Sequence, residues 1–307
     1  MDFEPNEDQT SILDGLEQLI ASLDTTPPLH GEIASWSQLL DDTVAEAGFL
    51  GIAREEGFGL LDAALIVERL ARLGISCEAA ASAIVAPGLI EDPALRPVTL
   101  ASSINAAARF LPMARALLVD QGEDALLVEV TPDAVEPVET LFAYPYGRLK
   151  DPGSLPSTRL TGQGPLLRRR WRIAIAVESA GLMLSALDTV LEHVKSRMAF
   201  GRPLGSFQAI QHRLVMTAEQ AHATLWLSRQ AAWRDTDSDA AIACAYAQEA
   251  VGKVAYDLHQ FSGAMGLTTE FPLHFWTYRL RALQGELGGS SIQARAAVAP
   301  ERANALA

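Results

Sequence analysis

The chain has 307 residues, 49% of them hydrophobic and 20% charged, enough to bury one large core or several smaller ones and far too apolar for a disordered tail. A formal net charge of -14 and a pI near 4.8 leave no basic stripe to release counterions from a phosphate backbone, which excludes a nucleic-acid partner. Cys77 and Cys244 lie far apart in apolar stretches read as helical, so neither a disulfide framework nor a metal site is expected. The N-terminus, Met-Asp-Phe-Glu-Pro-Asn-Glu-Asp, has no apolar run for a signal peptide, and no segment is read as reaching the length of a membrane span. A cytoplasmic location, away from the membrane, is the expectation.

In chain order, residues 1–92 read as helical, since Ile12, Leu16, Leu19 and Ile20 recur at helical spacing, and so do Leu65, Ile66, Leu70 and Leu73. The texture changes over residues 93–164. Short apolar runs, Ala116-Leu-Leu-Val119 and Leu126-Leu-Val128, are bounded by Pro, Gly, Asn and Asp and predict a small β segment. Pro145, Gly147, Pro152, Gly153, Pro156, Gly162, Gly164 and Pro165 predict a linker before residue 166. Residues 165–307 turn helical again. Leu184, Leu187, Leu191, Val194 and Met198 form one stripe, Ile210, Leu214, Thr217, Ala221 and Leu225 a second, and a third helix is expected over about 239–264. Long helices with matching stripes and short connections favour an antiparallel bundle.

The stretch Arg197-Met-Ala-Phe200-Gly201-Arg202-Pro203-Leu204-Gly-Ser206-Phe207-Gln208 closes one helix with an arginine, reverses the chain and opens another. Near the C-terminus stands His259-Gln260-Phe-Ser-Gly263-Ala264-Met-Gly266-Leu-Thr-Thr-Glu270-Phe271-Pro272. Near the N-terminus, Gly48-Phe-Leu-Gly51 and Glu55-Glu56-Gly57-Phe58-Gly59-Leu60 separate two helices. Together these motifs, and the order helical, β, helical, resemble the acyl-CoA dehydrogenase family. The resemblance implies a mainly α fold with a small β domain: an N-terminal helical domain, a reduced middle β domain and a C-terminal four-helix bundle for cofactor binding and oligomerisation.

It also implies FAD, with Arg197, Phe200, Gln208, Gln260 and Gly263 as its contacts. The chemistry suits them. Arg197 offers a planar fork for phosphate oxygens, and Gly263 lets backbone approach a diphosphate closely. Against this stand the bland alternatives: Arg197 as a cation at a helix C-terminus, Gln208 and Gln260 as ordinary polar helix residues. Ala264 departs from the pattern, because relatives usually carry a second glycine there.

The resemblance breaks at the chemistry. Relatives cradle the flavin ring with a β-domain loop of the Thr-Glu-Pro…Gly-Ser-Asp type, whereas this chain offers only Thr99-Leu-Ala-Ser-Ser-Ile-Asn105. Desaturation beside a thioester needs a carboxylate to take the α-proton while the flavin takes a hydride. Counting from Glu270-Phe271-Pro272 puts Leu287 at the usual place of that base, and counting back from Arg197 puts Trp171 at the place used by a minority of relatives. Neither can accept a proton, so no catalytic residue is assigned, and Glu286 and Glu178 remain as weak candidates. The run Arg168-Arg169-Arg170-Trp171-Arg172 calls for an anion, either a CoA phosphate, a flavin phosphate or a carboxylate, unless it is simply a solvated charge run.

The reading that follows from the resemblance is a short, base-lacking subunit of a heteromeric (α2β2) bacterial acyl-CoA dehydrogenase. Its partners would be a catalytic acyl-CoA dehydrogenase subunit, an acyl-CoA substrate, which could be a steroid side-chain CoA, and electron-transfer flavoprotein or a similar acceptor. A self-sufficient homomeric enzyme using Glu286 or Glu178, and a flavin-free structural homologue, are the alternatives.

Overall fold

A computed structural model describes residues 4–27 and 36–305; Met1 to Phe3, part of the N-terminal reading above, lie outside the described residues. Helix α1 (Glu7–Ala21) starts where Asn6 and Gln9 cap each other, the Asn6 side chain accepting from the Gln9 N–H at 2.9 Å and the Gln9 side chain from the Asn6 N–H at 3.0 Å. Ser37 caps α2 (Gln38–Glu46), and Asp62 accepts from the N–H of Gly59 at the start of α3 (Leu60–Ala71). A 3-10 turn, Phe49–Arg54, joins α2 to α3, and a π-helical turn, Ala81–Val85, closes this N-terminal part.

Strand β1 (Val98–Ala101) runs parallel to β3 (Ala116–Gln121), which pairs antiparallel with β4 (Asp124–Glu129) through a tight turn. Between them β2 (Ala108–Arg109) joins β6 (Tyr146–Leu149) and β5 (Val135–Val138) in a separate three-stranded sheet. Strand β7 (Ser157–Leu160) adds to β4. The stretch expected to be a linker therefore holds two strands, β6 and β7. Its prolines stand beside the strands and not within them, and β7 is an edge strand, where such neighbours cost no ladder bond.

Helix α4 (Gly164–Ser196) spans 33 residues and packs against α3, α5 (Gln208–Arg234), α6 (Asp237–Ser262) and α7 (His274–Gly285). A helix surrounded on all sides is apolar on all sides. By length and composition α4 could cross a membrane, which corrects the sequence reading; 83% of its apolar window is buried inside the bundle. Two glycines permit the packing. A Cβ on Gly164 would stand 1.9 Å from the carbonyl oxygen of Gly122, and one on Gly181 would stand 2.4 Å from that of Glu68 on α3. The third helix of the bundle ends at Ser262, two residues before the expected limit, because Gly263 leaves helical space at φ 58°. Helix α8 (Ser290–Ala305) completes the bundle against α6.

The arginine run at the start of α4 finds its anions within the chain. Arg168 pairs with Asp120, Arg169 with Asp235 and Asp237, and Arg170 with Asp235, while Arg172 donates to the side-chain oxygen of Gln293. Of the three anions considered from sequence, carboxylates take the charge. At the other end, α7 reaches back to the N-terminal helices: Trp276 Nε1 donates to the carbonyl of Arg72 at 2.9 Å, and buried Arg279 donates to that of Leu73 at 2.5 Å. Those carbonyls follow the last turn of α3, whose final acceptors have no partner within the helix itself.

Candidate functional site

Three segments deliver side chains to one buried point. Arg109 comes from β2, Tyr144 from the β5–β6 connection, and Glu286 from the turn between α7 and α8; Trp171 and Glu178 project from α4. Arg109 Nη1 lies 2.9 Å from Glu178 Oε2 and its Nε donates to Glu286 Oε1 at 2.8 Å. Tyr144 donates its hydroxyl to Glu178 Oε1 at 2.5 Å, and Trp171 Nε1 donates to Glu286 Oε2 at 2.6 Å. The guanidinium carbon of Arg109 sits 5.2 Å from the Tyr144 ring centre and 5.8 Å from that of Phe110. The residue beside each of these three deliveries, Phe110, Ala143 and Leu287, holds a positive φ of 63°, 54° and 52°, a conformation L-residues adopt rarely and keep only where the surroundings enforce it.

The turn that places Glu286 is pinned from two helices. Gln248 on α6 donates to the carbonyls of Leu283 and Glu286, both at 2.9 Å, and Gln293 on α8 donates to the carbonyl of Leu287 at 2.6 Å. In this conformation Leu287 packs on the main apolar core while Glu286 faces Arg109. Burial opposes the charge on Arg109, but Glu178 and Glu286 outweigh it and hold its pKa above the ordinary guanidinium value. Burial, with Glu178 next to it, raises the phenol of Tyr144, and burial with Glu286 raises that of Tyr146. Arg279 lies nearby, also buried; burial lowers its pKa although Tyr144 and Glu178 act the other way. Two carboxylates face two guanidinium groups here. A carboxylate committed to a buried arginine and to a second donor is a poor proton acceptor, because protonating it strands the cation.

Of the residues read as cofactor contacts, Arg197, Phe200 and Gln208 gather at one junction. Arg197 ends α4, its N–H donating to the carbonyl of His193 at 2.8 Å. A two-stranded hairpin follows, β8 (Met198–Ala199) and β9 (Arg202–Pro203), with Phe200 and Gly201 at positive φ in its turn, and Gln208 opens α5. Phe200 is 94% exposed. The Arg197 side chain is exposed too and, among the described residues, pairs with no carboxylate. Gln260 and Gly263 stand elsewhere, at the end of α6, lining an open groove of about 580 Å³ with Tyr256, His259, Tyr278 and Arg281. His259 Nδ1 is 3.0 Å from the carbonyl oxygen of Gly266, which can only accept, and burial lowers its pKa, leaving the ring neutral with Nε2 toward Thr277. His193 near the end of α4 makes an edge contact with Phe271, 5.2 Å between ring centres.

Residues 169–299 match the family model described as "Acyl-CoA dehydrogenase, C-terminal domain". Over 178 residues the chain is 34% identical to acyl-CoA dehydrogenase FadE34 of Mycobacterium tuberculosis; the alignment takes in 54% of this chain and 24% of that protein, so the chain spans about a quarter of that relative's length. Two solved structures superpose on nearly the whole chain. The ChsE4-ChsE5 complex from Mycobacterium tuberculosis gives a TM-score of 0.83 at 22% identity, covering 99% of each chain. The Tcur3481-Tcur3483 steroid ACAD G363A variant gives 0.78 at 22% identity, covering 98% of this chain and 99% of that one. The fold is that of the acyl-CoA dehydrogenases, mainly α with a small β domain. Within it, residues 169–299 are the part that the acyl-CoA dehydrogenase C-terminal domain model matches.

Sequence reasoning found Glu178, Glu286, Leu287 and Trp171 but missed what joins them. Arg109 was legible as a lone cation before Phe110-Leu111-Pro112, in the stretch where the flavin loop is missing, and an arginine among apolar neighbours needs an anion. Tyr144 carried no such signal, because its role depends on a left-handed Ala143 turning it inward. Trp171 and Glu286 are 115 residues apart in sequence and hydrogen-bonded in space, so the two stretches searched for a base meet at one place.

Proposed function

We propose that this chain is the base-lacking subunit of a heteromeric FAD-dependent acyl-CoA dehydrogenase, contributing cofactor contacts while a longer partner chain supplies the catalytic carboxylate. The observation that carries the proposal is Arg109: it commits Glu178 and Glu286, the two rescue candidates, while Leu287 and Trp171 occupy the places where relatives keep a base. Its guanidinium lies over the ring of Tyr144, both buried, and holds both carboxylates in ion pairs, which ill suits either of them to take a proton from a thioester. The phosphate end does fit. Arg197 is an exposed cation without a carboxylate partner among the described residues, and Gln260 and Gly263 line a groove open to a second molecule.

When bound, FAD supplies the hydride acceptor. Arg197, Phe200 and Gln208 would hold it from the α4–α5 junction, the arginine offering a fork to phosphate oxygens, and Gln260 and Gly263 would offer amide groups from the end of α6. The Arg109 cluster keeps this half of the assembly closed to substrate. Phe200, Leu267, Tyr256, Tyr246 and Ile242 are exposed apolar side chains that a partner chain would cover. The complex desaturates an acyl-CoA at the α,β position, its substrate a bulky, steroid-derived thioester, and passes electrons to an electron-transfer flavoprotein in the cytoplasm. The heteromeric and steroid elements draw on the two superposed structures, one a ChsE4-ChsE5 complex and the other a steroid ACAD variant. Flavin content measured after purification tests the proposal: little or no FAD on the chain alone, and about one FAD per pair of chains after co-expression with the longer relative. Stoichiometric FAD on the isolated chain, reduced on adding an acyl-CoA, overturns it.

A further inference from the structure

A second buried ionic cluster lies outside the site, where α2, the segment leading into the π-helical turn, and the start of β1 meet. Asp41 and Glu78 are 1% and 2% exposed, and one guanidinium, Arg96, pairs with the Asp41 carboxylate and reaches the backbone carbonyl of Glu78. Asp41 Oδ1 accepts from the N–H of Glu78 at 2.8 Å, and Oδ2 stands 3.1 Å from Arg96 Nη2, which also donates to the carbonyl of Glu78 at 2.9 Å. Glu78 in turn accepts from the N–H groups of Ala81 at 2.9 Å, Ser82 at 3.2 Å and Val98 at 3.1 Å, and from the Ser82 hydroxyl. Asp41 thus ties α2 to Glu78, and Glu78 ties the 79–86 segment to β1.

We infer that Asp41, Glu78 and Arg96 form a proton-controlled latch, tighter with one carboxyl protonated than with both charged, that fastens α2 to the 79–86 segment and to β1. Two buried anions and one cation leave a net negative charge that burial makes costly, and a proton removes it. Asp41 is the group that takes it. Glu78 already accepts from four donors, whereas burial pushes the Asp41 carboxyl up to about 6, with Arg96 opposing and Glu78 assisting. The other groups packed around Asp41 do not relieve it. Cys77 is a buried thiol with a raised pKa; Arg54, on the turn against α2, donates to the carbonyl of Ile90; Asp14, Glu17 and Asp42 on α1 and α2 are exposed, Glu17 facing Arg69. The corner also has a line to the site: Val98 is held by Glu78, and the next residue, Thr99, donates its hydroxyl to the carbonyl of Arg109 at 2.5 Å.

Because the folded Asp41 binds its proton more tightly than the unfolded one, the extra stability is complete below the unfolded value of 3.8 and is lost as pH rises to about 6. The test compares the full chain with Asp41→Asn, which keeps an acceptor for the Glu78 N–H and cannot ionise. In urea unfolding, the variant should gain on the starting protein between pH 4 and pH 6 by up to about a hundredfold in the unfolding equilibrium, with a constant gap above that. Amide exchange in the starting protein, corrected for intrinsic rates, should be slower at pH 5 than at pH 7 for Ala81, Ser82 and Val98, and insensitive to pH in Asp41→Asn. Parallel stability profiles overturn the proposal. So does pH-independent protection of those three amides in the starting protein, a measurement that stands even if the variant fails to fold.

Discussion

Replacing Arg109 by methionine keeps most of the volume of the arginine stem and removes the charge between Glu178 and Glu286. At pH 8 both carboxylates are then left buried with only Tyr144 and Trp171 donating to them. Removing one partner of a buried pair costs about 3–5 kcal/mol, nearly all of it from the stranded charges. The lost contact with the Tyr144 and Phe110 rings adds roughly 1 kcal/mol. Urea unfolding of Arg109→Met and the starting protein at pH 8 reads this directly, since the difference in midpoint at constant slope is a difference in stability. Adding Glu178→Gln should recover part of the loss. A penalty below about 1 kcal/mol, or no recovery from Glu178→Gln, refutes the account of Arg109 as the clamp on both carboxylates.

Gly181→Ala forces α3 and α4 apart at the Glu68 carbonyl and should cost about 1–3 kcal/mol in thermal or urea unfolding, with the fold retained. Asp257 is buried beneath Lys253 and Arg213; burial pushes its carboxyl up, but the hydrogen bonds from those two side chains prevail and hold it below the ordinary aspartate value. Its contribution is therefore present above pH 4 and lost on acidification through the folded value, so Asp257→Asn should cost about 1.5–3 kcal/mol at pH 7 and much less near pH 3 by circular dichroism. In the co-expressed complex, Arg197→Ala should weaken FAD retention by about 1.5–3 kcal/mol, read by flavin release on dilution, and unchanged retention returns Arg197 to the role of a helix-terminal cation.

The helical parts were legible because apolar residues at steps of three and four have one physical solution, and the ends of α4 and α5 were marked by Arg197 and by the Phe200-Gly201 turn. Strands β3 and β4 showed as short apolar runs between turn residues. Strands β6 and β7 did not, because proline and glycine in and beside them hide short strands whose pairing is decided by neighbours elsewhere in the sequence. At the candidate site, periodicity and register located Leu287, Trp171, Glu286 and Glu178, but no spacing rule could bring Arg109 to them. That meeting needs β2 to run beside β6, the β5–β6 connection to turn at Ala143, and Gln248 and Gln293 to fix the Glu286 turn. Each is a long-range contact, written in three dimensions before it is readable in one.

The hold of α7 on α3 has a consequence in time. Trp276 and Arg279 bind the carbonyls of Arg72 and Leu73 across 204 and 206 residues of chain. At about 5–20 residues per second of synthesis, the end of α3 waits roughly 10–40 s for the side chains that complete it. Throughout that interval the nascent N-terminal helices carry unsatisfied carbonyls and an uncovered apolar flank. A chaperone acting on this protein during translation would find its target there, and the first ninety residues expressed by themselves would keep that vulnerability permanently.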